Sequence, residues 1–479
     1  MENNRGNWGS NIGFLLAAVG SAVGLGNIWG FPYKMGISGG FSFLATYLLL
    51  AVFVGFVIMI AELAIGRRAG LGVLGAYRAL SNNPASKGML SFIGFLAMLS
   101  PFLIMSFYSV LGAYCMEYMV LNMSNLAFVS SGISGADYFG HMLVNQFGAV
   151  VYTLLFMIIC YLIVKGGIKG GIEKFSNVAM PALAVMLLVI IFRSLTLPGA
   201  FEGLQFMFQP GYGVEYALST GMIEEAPGFI TVLATAGGQM FFSLSLAMGA
   251  MVTYGSYLSK KEDLVKNSLF IVVADTVVAL MAGLAVIPAA FALGGEGAVM
   301  SGPKLLFITL QNVFDSMGAA GPLFGTIFYL LVLIAAITSA ISLMEVQVTF
   351  LSDRAIAQGK NPNRSRITLF VFLAIMVEAL VVALDGLGSN GLPQPMGFCW
   401  LDFMDLWSEG IAMPLGALLM SLLIGWVVGP KVIKQEVCAE GNSFHIYTFF
   451  NVCLRFIVPV AMVLILVGQL DTFFGLGIF

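Results

Sequence analysis

Charge is what this sequence has least of. Only 9% of its 479 residues are Asp, Glu, Lys or Arg, against about a quarter in a soluble domain. Apolar residues make up 59%, more than one core could hide while polar groups still covered the outside. Lipid must solvate part of the surface. With a net charge of -3 and no basic or acidic run, the chain offers nothing for nucleic acid to bind. Histidine is nearly absent, with His141 and His445 standing alone. The five cysteines, Cys115, Cys160, Cys399, Cys438 and Cys453, show no CxxC spacing, which excludes a disulfide framework or zinc site and leaves them as small buried apolar groups. The spans hold no nucleophile–base set and no cluster of metal ligands, so an enzyme is not expected.

What is present is apolar runs long enough to cross a bilayer, which takes about 20 residues. Eleven stretches qualify: 12–34, 41–66, 89–121, 148–164, 175–195, 228–257, 267–293, 322–350, 367–384, 401–428 and 446–470. The first exceeds a signal-peptide core and contains Asn27 and Pro32, so it reads as a retained helix. The segment 301–316 is too short to span and is expected as a surface helix. Basic residues fall on alternate loops: Arg5, then Arg67, Arg68, Arg78 and Lys87, then Lys165, Lys169 and Lys174, then Lys260, Lys261 and Lys266, then Arg354, Lys360, Arg364 and Arg366, and last Lys431 and Lys434. The opposite loops carry almost none: 122–147 has no Lys or Arg and 196–227 has four glutamates. This asymmetry puts the N-terminus in the cytoplasm and, after eleven spans, the C-terminus outside. The expected location is a bacterial inner membrane.

Two spans are unfit to be continuous helices. The first carries Gly20, Gly24 and Gly26 within Ala18 to Asn27, and the sixth reads Phe242-Ser243-Leu244-Ser245-Leu246-Ala247-Met248-Gly249. Glycine costs a helix about 1 kcal/mol relative to alanine at each position. Broken backbone survives at membrane depth only when buried in protein or lining a polar cavity. The breaks occupy corresponding places in two five-helix halves, the mark of an inverted-repeat transporter with its site at the midplane; small residues used for close helix packing are the competing explanation. The expected fold is all-α with eleven membrane helices: a first repeat over 1–195, an extracellular loop over 196–227, an inverted second repeat over 228–428, and a cytoplasmic loop with an extra eleventh helix over 429–479.

The stretch Gly20-Ser21-Ala22-Val23-Gly24-Leu25-Gly26-Asn27-Ile28-Trp29, followed by Phe31-Pro32-Tyr33, resembles the neurotransmitter:sodium symporter family. So do Gln239 through Tyr257 and Ala335 to Ser339. The resemblance runs from Arg5 and Trp8 to the end of span 10, and is greatest to the bacterial eleven-span importers of hydrophobic and aromatic amino acids. It implies two sodium sites. One takes Ala22, Asn27, Ser243 and Asp275 with the substrate's carboxylate. The other takes carbonyls of Gly20, Val23 and Ala335 with hydroxyls of Thr338 and Ser339, although such hydroxyls also bond back to their own helix. Sodium is a hard cation that wants oxygen, and a broken helix releases carbonyls that an intact one keeps.

By the same resemblance the substrate lies beside Ala22, Gly24, Leu25 and Gly26. Freed amides at Leu25 and Gly26, at a half-helix start, favour its carboxylate, and Tyr108 donates a hydroxyl. Ile104, Phe242, Ser243, Ser245, Met248, Ala340 and Leu343 complete the site, its apolar lining fitting a large side chain; core packing is the competing role for each. Amine-carrying relatives have aspartate at the position of Gly24, so this substrate must bring its own carboxylate. Asp275 stands where many relatives have asparagine, and the chloride-site serine matches Ala279, while Tyr47, Gln239 and Ser243 remain. A fixed carboxylate replaces chloride, so chloride independence is expected. Glu62 matches the glutamate that satisfies amides of the breaks; Glu345 and Glu378 have no assigned role. Arg5 and Asp353 match the cytoplasmic gate, with Trp8 and Tyr257 nearby. Outside, Asp405 is present but its arginine partner is Gly30, which leaves Lys34, one turn on, as a substitute or as an outward-pointing lysine. Gly171 and Pro181 match an element at which span 5 unwinds. The function implied is sodium-coupled amino-acid import by alternating access. A proton-coupled carrier, a channel and a sensor of the same fold stay open as alternatives.

Overall fold

The computed structural model describes residues 7–124, 135–221, 223–292 and 302–478, and among these the regular structure is helical. Among the described residues nine helices are long and apolar enough to cross a membrane: Phe41–Ala69, Pro84–Met123, Gln146–Lys165, Ile168–Leu195, Leu264–Phe291, Gly318–Ala357, Arg364–Asp385, Trp400–Val428 and Tyr447–Phe474. They take the places expected for spans 2 to 5 and 7 to 11. Span 1 is a bent pair, Asn11–Ala22 and Gly26–Ile37, at 48° to each other. Span 6 divides into Phe229–Ser243 and Ala250–Gly255. Span 5 starts earlier than its hydrophobic run, because a widened turn at Ile168–Glu173 brings Gly170 and Gly171 into the helix. The segment expected on the surface is helical over Leu305–Ser316, but Leu305, Leu306, Phe307, Leu310, Val313 and Phe314 are buried, so it packs inward.

Burial sorts the spans into centre and rim. The apolar window of span 8 is 83% buried and that of span 2 is 78%, whereas spans 4 and 5 reach only 33% and present the rest to lipid. Spans 3 and 8 pack along their length, and the broken spans 1 and 6 lie among the buried elements, as irregular backbone at membrane depth must.

Each break has a local cause. In span 1 the helix stops at Ala22, with Val23 extended at φ -75°, ψ 103°. A side chain at Gly24 would sit 2.4 Å from Ser339 Oγ and 2.5 Å from Tyr108 Oη, so glycine is needed for the approach of spans 3 and 8. In span 6, Ser245, Ala247 and Gly249 take positive φ of 52°, 58° and 74°. The two non-glycine residues each carry roughly 1 kcal/mol of strain. The amide of Ala247 is satisfied by Glu62 Oε1 at 2.8 Å.

Cross-links between loops show which ends share a face. Gly9 donates to Glu173 (2.7 Å), Gly72 to Asp353 (2.6 Å) and Arg67 to Glu436 (2.8 Å). Lys260 pairs with Glu436 at 3.1 Å, and Arg364 donates to Val164 O at 2.7 Å. The loops rich in lysine and arginine thus lie together with the N-terminal end. On the other face Lys34 meets Glu409 (3.0 Å) and Asn390 reaches Leu143 O (3.0 Å).

Candidate functional site

The two breaks face each other. Ser245 Oγ of span 6 donates to Ser21 O of span 1 at 2.8 Å, and Ser21 Oγ donates to Ser342 Oγ of span 8 at 2.7 Å. Between them is a small cavity of about 20 Å³ lined by Ala22, Gly24, Gly26, Ile104, Tyr108 and Phe242, with Ser245, Met248 and Leu343 closing it. That volume admits about one water, so a larger guest requires the walls to part. Ser21 and Ser339 also line it, and neither stood in the expected substrate set. Ala340, fully buried, is not in the wall; nor are Leu25 and Ser243, whose polar groups are used beside it.

Leu25 N donates to Tyr108 Oη at 3.0 Å, and the same hydroxyl is hydrogen-bonded with Ser339. Gly24 N donates to Asn27 Oδ1 at 3.0 Å. The cavity therefore has the hydroxyls of Ser21, Tyr108, Ser245 and Ser339 in its wall beside the apolar Ile104, Phe242, Met248 and Leu343. Gly26 is fixed by Phe242, whose ring would lie 2.6 Å from any added Cβ.

Two oxygen clusters flank the cavity. Asp275 of span 7 is fully buried. It accepts from Asn27 Nδ2 (2.8 Å), from Ser243 Oγ (3.0 and 2.8 Å to its two oxygens) and from Tyr47 Oη (3.3 Å). No described Lys or Arg pairs with it. In the second cluster Ser339 Oγ approaches Gly20 O at 3.4 Å and Val23 O at 3.3 Å, while Thr338 Oγ1 approaches Ala335 O at 2.9 Å. A Cβ at Gly20 would come within 3.2 Å of Thr338 Cβ, so spans 1 and 8 are in close contact here, while the Thr338 hydroxyl bonds back to Ile334 O and Ala335 O of its own helix. Every atom of this cluster is a neutral oxygen. Gln239 donates to Gly26 O at 2.7 Å.

The chain belongs to the sodium:neurotransmitter symporter family. It matches that family over residues 5–134 and 138–477. It is 35% identical to the uncharacterised sodium-dependent transporter YhdH of Bacillus subtilis, covering 96% of both chains. It is 31% identical to an uncharacterised sodium-dependent transporter of Haemophilus influenzae, over 98% of this chain and 99% of that one. Among solved structures it is similar to MhsT in complex with L-phenylalanine, with 33% identity, a TM-score of 0.84, and coverage of 97% of this chain and 100% of that one. This symporter is therefore a multi-pass membrane protein that uses sodium, a transporter rather than an enzyme.

The residues expected at the gates lie on two opposite faces. Arg5 lies outside the described residues. Trp8 packs on Phe14 and Tyr254 and donates to Tyr254 O at 3.1 Å, and Asp353 accepts from Gly72 N. Tyr257 Oη donates to Glu345 Oε1 at 3.0 Å. Glu345, which had no assigned role, is clamped by Arg364 of span 9 through bonds of 3.1 and 2.5 Å. Arg364 was missed, because a pair 19 residues apart needs the hairpin of spans 8 and 9 to exist first. Glu378 Oε2 has no partner. On the opposite face Lys34 meets Glu409, not Asp405, and a side chain at Gly30 would have to displace the end of Gln239, whose Oε1 lies 2.7 Å from the place of a Cβ. Asp405 lies against Glu409 four residues on, and its Oδ1 has no partner. The lysine thus stays with its expected patch but pairs one turn further along.

Proposed function

We propose that this symporter carries hydrophobic or aromatic amino acids into a bacterial cell together with sodium, by alternating access and without chloride. The observation that supports this best is the crowding at Gly24. Residue 24 is glycine, with Ser339 Oγ and Tyr108 Oη packed 2.4 and 2.5 Å from the place of a Cβ, so no acidic side chain stands there to hold an amine. The negative charge near the sodium clusters must then arrive with the substrate, as a carboxylate held at the Tyr108 hydroxyl and the half-helix amides. Ile104, Phe242, Met248 and Leu343 would receive an apolar side chain, with Met248 conforming to several shapes. MhsT was solved with such a ligand, L-phenylalanine.

The ion assignment follows the oxygen clusters: Ala22, Asn27, Ser243 and Asp275 for one sodium, and Gly20, Val23, Ala335, Thr338 and Ser339 for the other. Asp275 stands at the hydroxyls of Tyr47 and Ser243 as a permanent anion. The lysine-rich face is the cytoplasmic one by the positive-inside rule, which places the C-terminus outside. The segments 1–195 and 228–428 are the two repeats whose relative motion opens the site. Lys34, Asp405 and Glu409 close the outer path, and Arg5, Trp8, Tyr257 and Asp353 the inner one. The test is competition against labelled phenylalanine for sodium-dependent binding to purified protein. Tyrosine and leucine compete, and tyramine and phenethylamine do not. Equal competition by the amines refutes the reading.

A further inference from the structure

Two cavities on the N-terminal face lie outside the transport site and share one residue, Phe350. The first, about 350 Å³, lies between the short helix Val73–Arg78 and the last turns of span 8, and its lining includes Leu71, Leu74, Arg78, Phe350 and Arg354. The second, about 340 Å³, lies between spans 3, 8 and 9, and is lined by Met98, Leu99, Phe102, Phe350, Phe370 and Val371 among others.

The chemistry changes along this path. Arg78 and Arg354 are exposed and carry no ion pair among the described residues. The carboxylate in the same cavity, Asp353, is engaged by Gly72 N. Arg354 is on the last turn of span 8, at the level where a helix leaves the hydrocarbon, and Phe350 is one turn deeper on the same face. Beyond Phe350 the second cavity is apolar. Its one polar side chain, Gln347, already donates to Met98 O at 2.6 Å, leaving a peptide backbone little to bond. It opens toward the rim where Phe370 is 62% exposed.

We propose that this groove holds one acidic phospholipid of the leaflet on the N-terminal face. Its phosphate lies between Arg78 and Arg354, where two guanidinium groups can each give paired hydrogen bonds, and one acyl chain runs past Phe350 between spans 3, 8 and 9. Basic pockets at the ends of membrane helices recognise acidic headgroups in this way. A second protein chain would leave a narrow apolar slot unfilled, whereas an acyl chain fills it. The inference rests on the membrane-spanning topology and not on the substrate reading.

The test is native mass spectrometry of the full chain in detergent, after exchange with phosphatidylglycerol or with phosphatidylcholine of the same acyl chains. The expected result is one retained phosphatidylglycerol, at an occupancy at least fivefold above phosphatidylcholine. The excess falls to near one in Arg78→Gln/Arg354→Gln and stays in Arg366→Gln, an exposed arginine of the same face outside the groove. Ala374→Phe, which fills the apolar cavity, lowers retention of both lipids. All four substitutions are at exposed or half-buried positions, and an unchanged circular dichroism melt verifies the folding of the three variants. Equal retention of the two lipids by the unaltered chain, or an undiminished excess in the double variant, overturns the proposal. No substrate enters these readouts, so failure of the amino-acid assignment would not imitate failure here.

Discussion

Glu345 and Asp275, two of the carboxylates sealed in the helical core, are compensated in opposite ways. Glu345 has its own cation: Arg364 grips both its oxygens, and Tyr257 and Thr349 add hydroxyls at 3.0 and 3.1 Å. Asp275, just as buried, has only neutral donors, the amide of Asn27 and the hydroxyls of Tyr47 and Ser243. Neutral hydrogen bonds do not cancel a charge, and a lone buried charge is costly. The difference separates a structural ion pair from a carboxylate at which a sodium site is proposed. The second oxygen cluster, at Thr338 and Ser339, has no formal charge at all, so a sodium proposed there would be held by dipoles alone.

Four experiments break or sharpen this contrast, in falling order of effect. Arg364→Gln leaves Glu345 buried without its cation, which costs roughly 3–5 kcal/mol. Thermal unfolding in detergent should move down by several degrees, while the sodium concentration for half-maximal uptake stays unchanged. Asp275→Asn should do the reverse, lowering sodium-driven uptake about a hundredfold, or ~2.7 kcal/mol, with little change in unfolding. Ser339→Ala removes one neutral oxygen near Gly20 O and Val23 O and should raise half-maximal sodium about fivefold, near 1 kcal/mol. The smallest effect is at the opposite face. Lys34 and Glu409 are 21% and 11% exposed, so a double-mutant cycle with Lys34→Gln and Glu409→Gln should give a coupling of about 0.5–1 kcal/mol. The same cycle with Asp405→Asn should couple less; an equal or larger value would return the latch to Asp405.

How much of this could be read beforehand depended on whether the signal was local. The break in span 1 is written in Gly20, Gly24 and Gly26. The break in span 6 is not, since two of its three left-handed residues are Ser245 and Ala247. Their strain is held by tertiary contacts such as the Glu62 bond to Ala247, and only the pairing with span 1 betrayed it. The family resemblance led to Ala22, Gly24 and Gly26, but not to Ser21 and Ser342, whose bond crosses between spans 1 and 8. The choice between Asp405 and Glu409 was invisible because residues four apart share a helix face. The inward packing of Leu305–Ser316 was missed because length alone decided that it does not span.

The most direct test of the account asks whether Asp275 removes the need for chloride. Phenylalanine uptake into proteoliposomes is driven by an inward sodium gradient, with external and internal chloride replaced by gluconate, for the unaltered chain and for Asp275→Asn. The account predicts equal initial rates with and without chloride for the unaltered chain, and for the variant a slow uptake that chloride raises. Uptake by the unaltered chain that collapses in gluconate would contradict it.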